Sequence, residues 1–213
     1  ANYSAAPPEM DNSGWTVGKL LRTKETWLCI FSTGFLMLAQ MGIMTQLVNR
    51  NIEVGLDQSL AVNVMTPIAV IGIIGSVIFG RIVFKLGIKK AGVLTCVLYI
   101  VALLCNISGI LPLVWVSLVI IGFLGAAAPN LMNSIPGSVF GRVGYAKVNS
   151  VVFPLTNIIF MLNFAVNGVI SMLFDSLRVA YIVFAILSLI AMFLILAIQD
   201  HKYDQDYMAA HKQ

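Results

Sequence analysis

Charge is scarce in this sequence. Asp, Glu, Lys and Arg make up 10% of its 213 residues, against roughly 25% in soluble domains. Histidine occurs only at His201 and His211, both in a polar C-terminal tail. With 59% hydrophobic residues, a water-soluble core of this size could not hide the apolar surface, so the expected solvent is a membrane. The same scarcity excludes most catalytic chemistry. There is no serine–histidine–acid set and no metal-ligand cluster, and Gly137, Gly141 and Gly144 follow neither Walker spacing nor a strand. An enzyme is not expected, and neither a cofactor nor a metal. Cysteine is equally sparse. Cys29, Cys96 and Cys105 all lie in apolar runs, odd in number and without ligand spacing, which argues for packing residues rather than a disulfide framework or zinc site. The tripeptide glycosylation pattern at Asn2 and Asn106 is too short to carry weight.

Six uncharged apolar stretches of membrane-spanning length are present: about Trp27–Val48, Leu60–Phe79, Ala91–Leu111, Leu113–Ile135, Ser150–Ser171 and Val179–Ile198. About twenty apolar residues cross a bilayer as a helix, and short alternating strands of a barrel are not seen. The sequence therefore predicts an all-α membrane protein with six transmembrane helices over 27–198. A cytoplasmic linker over 1–26 precedes them and a tail over 199–213 follows. Trp15–Lys24 suits a short helix at the membrane interface, and a solvated linker suits it equally. The chain opens on Ala1 in a Pro-, Ser- and Asn-rich stretch, which predicts a fragment or a processed half of something longer.

The cations are concentrated on one side of this arrangement. Eleven of the thirteen Lys and Arg residues fall before the first span, after the second, after the fourth and after the sixth. Only Arg50 and Arg178 fall on the other side. Positive residues mark the cytoplasmic side, so both termini are expected there, in a multi-pass protein of the plasma membrane. Cations placed between apolar runs form no nucleic-acid face, so no nucleic-acid partner is expected.

With no Asp, Glu, Lys, Arg or His in any span, neutral polar residues are the candidates for function. Gln40 lies near the centre of the first span. Thr156, Asn163 and Asn167 share a face of the fifth, with Asn157 one step around, and Asn130 lies in the fourth. Such amides can hydrogen-bond a solute without a buried charge, or bond one another across helices as structural glue. For Gln40, Asn157 and Asn163 together, all near mid-depth, a polar cavity is the favoured reading. Pro129 and Pro136 predict a bend near the cytoplasmic end of the fourth span, and Pro67 and Pro154 perturb the second and fifth. Gly72, Ser76 and Gly80 recur every four residues, predicting a close helix contact.

One connector carries a pattern. Gly80-x-x-x-Phe84-Lys85-x-Gly87-x-Lys89-Lys90, with Arg81 after the first glycine, resembles the loop signature of the major facilitator superfamily, in which Phe84 replaces the usual acid. Phe140-Gly141-Arg142-x-x-Tyr145-x-Lys147 is similar to the connector before the eleventh helix of such transporters, and Gly14–Trp27 to the linker entering their seventh. The resemblance covers essentially the whole chain, in the flavour of the oxalate/formate antiporter and monocarboxylate-transporter-like branch. Thr156 stands at or beside the position where oxalate carriers place a lysine.

The resemblance implies half of a twelve-helix fold, built as a 3+3 inverted repeat, with an N-terminal six-helix half as partner. It implies alternating-access transport of a small solute, a small organic anion such as a carboxylate, as symport or antiport. Gln40, Asn157, Asn163, Thr156 and Asn130 would then line the site, and Gly80, Arg81, Lys85, Gly87, Lys89 and Lys90 would form the cytoplasmic closure. Any proton-coupling carboxylate would belong to the other half. The alternatives left open are a non-transporting six-helix scaffold or accessory subunit, and a channel.

Overall fold

The computed structural model describes residues 14–142 and 144–204. The linker over 1–13, the tail beyond 204, and with it His211 and Lys212, lie outside the described residues. Helix α1 (Val17–Arg22) starts where Thr16 Oγ1 accepts from Lys19 N at 3.3 Å, satisfying one of the donors every helix start leaves open. After Thr23 come α2 (Lys24–Glu53), α3 (Gln58–Asn63), α4 (Met65–Leu86), α5 (Ile88–Ile107), α6 (Leu111–Leu124), α7 (Ala127–Phe140), α8 (Tyr145–Leu173) and α9 (Arg178–Ala197).

Long apolar runs become helices here because a helix satisfies its own backbone where no water can. Helices α2, α5, α8 and α9, together with α3 and α4 as one piece, give five candidate spans. The bent pair α6–α7 makes a sixth, with an angle of 41° between its halves. The predicted architecture is thus present, but the bend is not where the prolines placed it. Pro136 and Pro154 sit inside α7 and α8 without ending them, and the fourth span breaks at Gly125–Ala126 instead. The glycine prediction also shifts. A side chain on Gly80 would meet open space, whereas Gly75 lies against the Phe123 carbonyl of α6 and Gly72 against that of Gly122.

Contacts between elements place the connectors at two ends. At one end the start of α2 meets the tail, where Glu25 binds Lys202 Nζ and, at 3.1 Å, Tyr203 OH. At the same end Lys89 Nζ at the start of α5 donates to Ile198 O beyond α9 at 2.7 Å. The Glu25 carboxylate holds the Lys202 ammonium above its ordinary pKa range. At the opposite end Arg50 in the last turn of α2 donates from Nε to Asn106 Oδ1 at 2.9 Å and from Nη2 to Asn106 O at 3.0 Å. Glu53 accepts from Leu177 N at 3.1 Å, just before α9. The basic connectors therefore gather at one end of the bundle and Arg50 marks the other.

The packing follows an internal symmetry. The first span (α2) packs on the fifth (α8) and sixth (α9), while the fourth (α6–α7) packs on the second (α4) and third (α5). The third also packs on the sixth, and the first on the fourth. Exchanging spans one to three with four to six leaves this set of pairings unchanged, which is the signature of a 3+3 repeat. Spans one and five both begin at the basic end, and spans two and four both begin at the Arg50 end, so the two units are inverted.

Candidate functional site

The broken fourth span and its neighbours form the candidate site. Proline has no N–H and crowds the carbonyl four residues upstream. Pro129 is the third residue of α7, so it needs no donor for itself, but it leaves Gly125 O without an intrahelical partner. Gln40 Nε2, on α2, donates to that oxygen, and Tyr99 OH, on α5, donates to the adjacent Leu124 O at 3.2 Å. The break is thus sealed by side chains from two other spans, at a depth where water could not serve. Gln40 is 4% exposed, so its first task in this conformation is to hold the break.

A double-mutant cycle tests that pairing. Gln40→Leu should destabilise the protein by about 1 kcal/mol, within the range for an unmet buried carbonyl and for interhelical bonds in membranes. Pro129→Ala restores an N–H for Gly125 O and should remove most of that penalty when combined with Gln40→Leu. The check is the apparent Tm of the four purified variants. Additive losses would show that Gln40 is not coupled to the break.

The polar face of α8 turns toward α2. Thr156 and Thr33 place their hydroxyls 3.3 Å apart. Asn167 Nδ2 donates to Gly42 O and Thr45 Oγ1, both at 3.0 Å. Asn163, fully buried, donates to Phe160 O on its own helix at 2.8 Å, while its Oδ1 lacks a partner. Of the anticipated site residues, Gln40, Thr156 and Asn163 therefore lie inside the packed seam. Asn130 is exposed and Asn157 half-exposed, the latter donating to Phe153 O at 2.9 Å.

Residues Asn130 and Asn133 are both exposed on α7, with Ser134 half-exposed beside them. Tyr145, at the start of the neighbouring α8, donates to Asn133 O at 3.2 Å. Ten residues separate Asn130 from the end of α7, about 15 Å at 1.5 Å per residue, or half of a hydrocarbon core of about 30 Å. Amides exposed at that depth face protein or a water-filled cavity rather than lipid. Asn133 belongs to this face too, three residues along α7 from Asn130. At the Arg50 end a cleft of about 340 Å³ is bordered by Gln46, Asn49, Glu53, Ser171, Asp175 and Ser176.

The signature connector is tighter than a loop. Gly80, Arg81 and Lys85 belong to α4, Lys89 and Lys90 begin α5, and Gly87 alone joins the helices. Its φ of 81° lies in the region that favours glycine, and its N–H closes α4 by donating to Val83 O at 2.9 Å. Phe84, in place of the acid, is 91% exposed.

The family model described as Major Facilitator Superfamily matches residues 4–159, nearly three quarters of the chain. The chain belongs to the major facilitator superfamily. No curated protein matches it significantly. As a member of this superfamily the protein is a multi-pass membrane transporter, and its six-span bundle with inverted three-span units is consistent with half of a major facilitator fold.

Proposed function

We propose that this chain is the C-terminal half of a secondary transporter that moves a small organic anion, such as a carboxylate, across the plasma membrane by alternating access. The observation that carries this reading is the accessibility of mid-depth amides, Asn130 exposed on α7 and Asn157 half-exposed on α8, in a membrane domain whose central segments hold no Asp, Glu, Lys, Arg or His. Donor-rich amides suit carboxylate oxygens, and they leave most of the charge recognition to an N-terminal six-helix half packed opposite. Gln40, Thr156 and Asn163 would reach the solute only in a conformation that parts α7 and α8 from α2. The basic end is the cytoplasmic one, and Gly80, Arg81, Lys85, Gly87, Lys89 and Lys90 act there as part of the closure.

Uptake by the full-length transporter in proteoliposomes tests the reading, with labelled formate, oxalate and lactate as probes. Asn130→Ala and Asn157→Ala should each lower uptake of the transported probe about tenfold, the value of one lost hydrogen bond to a charged group, with yield and Tm unchanged. Full uptake by the double variant would overturn the assignment of these two amides. Uptake of none of the three probes by the unmodified protein would overturn the carboxylate class.

A further inference from the structure

We propose that the tail over Ile198–Asp204 is a strap that fixes α7 at the basic end, and that its release frees α7 to swing about Gly125–Ala126. The strap thereby sets the position of the Asn130 face, a role in transport that rests on the reading of that face as a solute contact.

A helix leaves its last carbonyls without intrahelical donors. At the end of α7, Gly137 O accepts from Gly141 N at 3.0 Å in the ordinary way. The next two carbonyls are met from the tail. Ser138 O accepts from His201 N at 2.7 Å, and Val139 O accepts from Tyr203 N at 2.9 Å. Between these donors the backbone is turned by His201, which has a φ of 57°, a conformation that a non-glycine residue holds only where its surroundings impose it. The fit leaves no slack, because a Cβ on Gly141 would lie 2.6 Å from Asp204 Oδ1.

The strap is anchored on elements other than α7. Ile198 O accepts from Lys89 on α5, and Lys202 and Tyr203 both bind Glu25 on α2. The Tyr203 ring stacks on Phe140 at 5.4 Å and meets Trp15 edge-on at 5.2 Å. Pulling α7 away from the bundle therefore means breaking two backbone bonds and an aromatic cluster held in place by α2 and α5. The other end of α7 is already a joint. The half-helix α6 packs on α4 and α5, whereas α7 packs on α2 and α8 as well as on α5, so α5 is common to both halves and their other main neighbours differ. A cleft of about 580 Å³, bordered by Val83, Phe84, Ser134 and Arg142 as well as Asp200 and His201, leaves α7 room to move on the side facing α4.

Hydrogen–deuterium exchange of the full-length protein in nanodiscs tests this directly. Two variants are compared with the unmodified protein. One is truncated after Ile198. The other is the Glu25→Ala/Tyr203→Phe double variant, which cuts the anchor on α2 and leaves every residue of α7 and the strap backbone in place. Amides over 135–140 should exchange about tenfold faster in both, while α6 is unchanged. Unchanged exchange over 135–140 in the double variant, or equal acceleration in α6, would overturn the strap whatever the fate of the truncated protein.

The readout is independent of transport. Asn130→Ala should leave exchange over 135–140 as it is while lowering uptake. Normal uptake by that variant, alongside faster exchange in the strap variants, would sink the solute assignment and leave the strap standing.

Discussion

Replacing Arg50 with methionine should destabilise the protein by about 3 to 5 kcal/mol, the range for removing one partner of a buried ionic network. That corresponds to roughly 10 °C in Tm for a domain of this size. Arg50 is 4% exposed. Its guanidinium donates twice to Asn106, pairs with Glu53 Oε2 at 3.1 Å and lies 5.6 Å from the centre of the Tyr181 ring. The loss is unequal among these partners. The Glu53 side chain is 28% exposed and can be rehydrated when its cation goes. Asn106 is fully buried; its backbone O keeps the Gly109 N–H at 3.2 Å, but its Oδ1 loses the Arg50 Nε donor and its Nδ2 already lacks a partner. Glu53→Gln should therefore rescue Arg50→Met only slightly. Arg50→Lys should fall between the two, because an ammonium keeps the charge but cannot reproduce the fork that reaches both Asn106 oxygens. Thermal unfolding of the four variants checks the order. A lysine variant as damaged as the methionine one would mean that the fork geometry, not the charge, sets the whole cost.

This network was only half legible in the sequence. Arg50 could be placed at the minority end by charge counting, because connector charge is a one-dimensional property. That it folds back into the bundle depends on Asn106, fifty-six residues away, and no local pattern announces such a pairing. The same contact buries Asn106, whose tripeptide had matched a glycosylation pattern. The spans were readable for the physical reason that lipid forces every backbone group into a helix. The bend was misplaced because Pro129 acts on the carbonyl behind it, so the break appears four residues before the proline and not around Pro136. Neutral amides carry two meanings in one letter. Gln40 ties α2 to the broken fourth span and Asn163 bonds only its own helix, while Asn130 is exposed and Asn157 half-exposed. The repeat left only a faint trace, Arg50, Ser59 and Pro67 against Arg142, Ser150 and Pro154, since packing geometry persists where side chains have diverged.

Among the glycines, Gly75→Ala should be the most damaging, at about 3 kcal/mol, the upper part of the range for overpacking. The new Cβ would sit 2.3 Å from Phe123 O and 3.0 Å from its carbonyl carbon. These are backbone atoms of a helix, so no rotamer change relieves the clash, and α4 and α6 must move apart by about 1 Å to restore ordinary contact. Gly42→Ala meets an even shorter approach, 2.1 Å to Phe184 Cζ, yet that atom is the tip of a ring that can swing about its side-chain bonds. Its cost should be smaller, about 1 to 2 kcal/mol. Gly80→Ala has nothing within 4 Å and should be neutral or stabilising by up to about 1 kcal/mol, from helix propensity alone. Steady-state Tm measurements on the three variants decide the order. The contrast between Gly75 and Gly80 bears on how the bundle works. If the α4–α6 contact is a fixed seam, Gly75→Ala lowers Tm and yield together. If the seam slides during transport, the same substitution in a stabilised background slows uptake after the Tm has been restored.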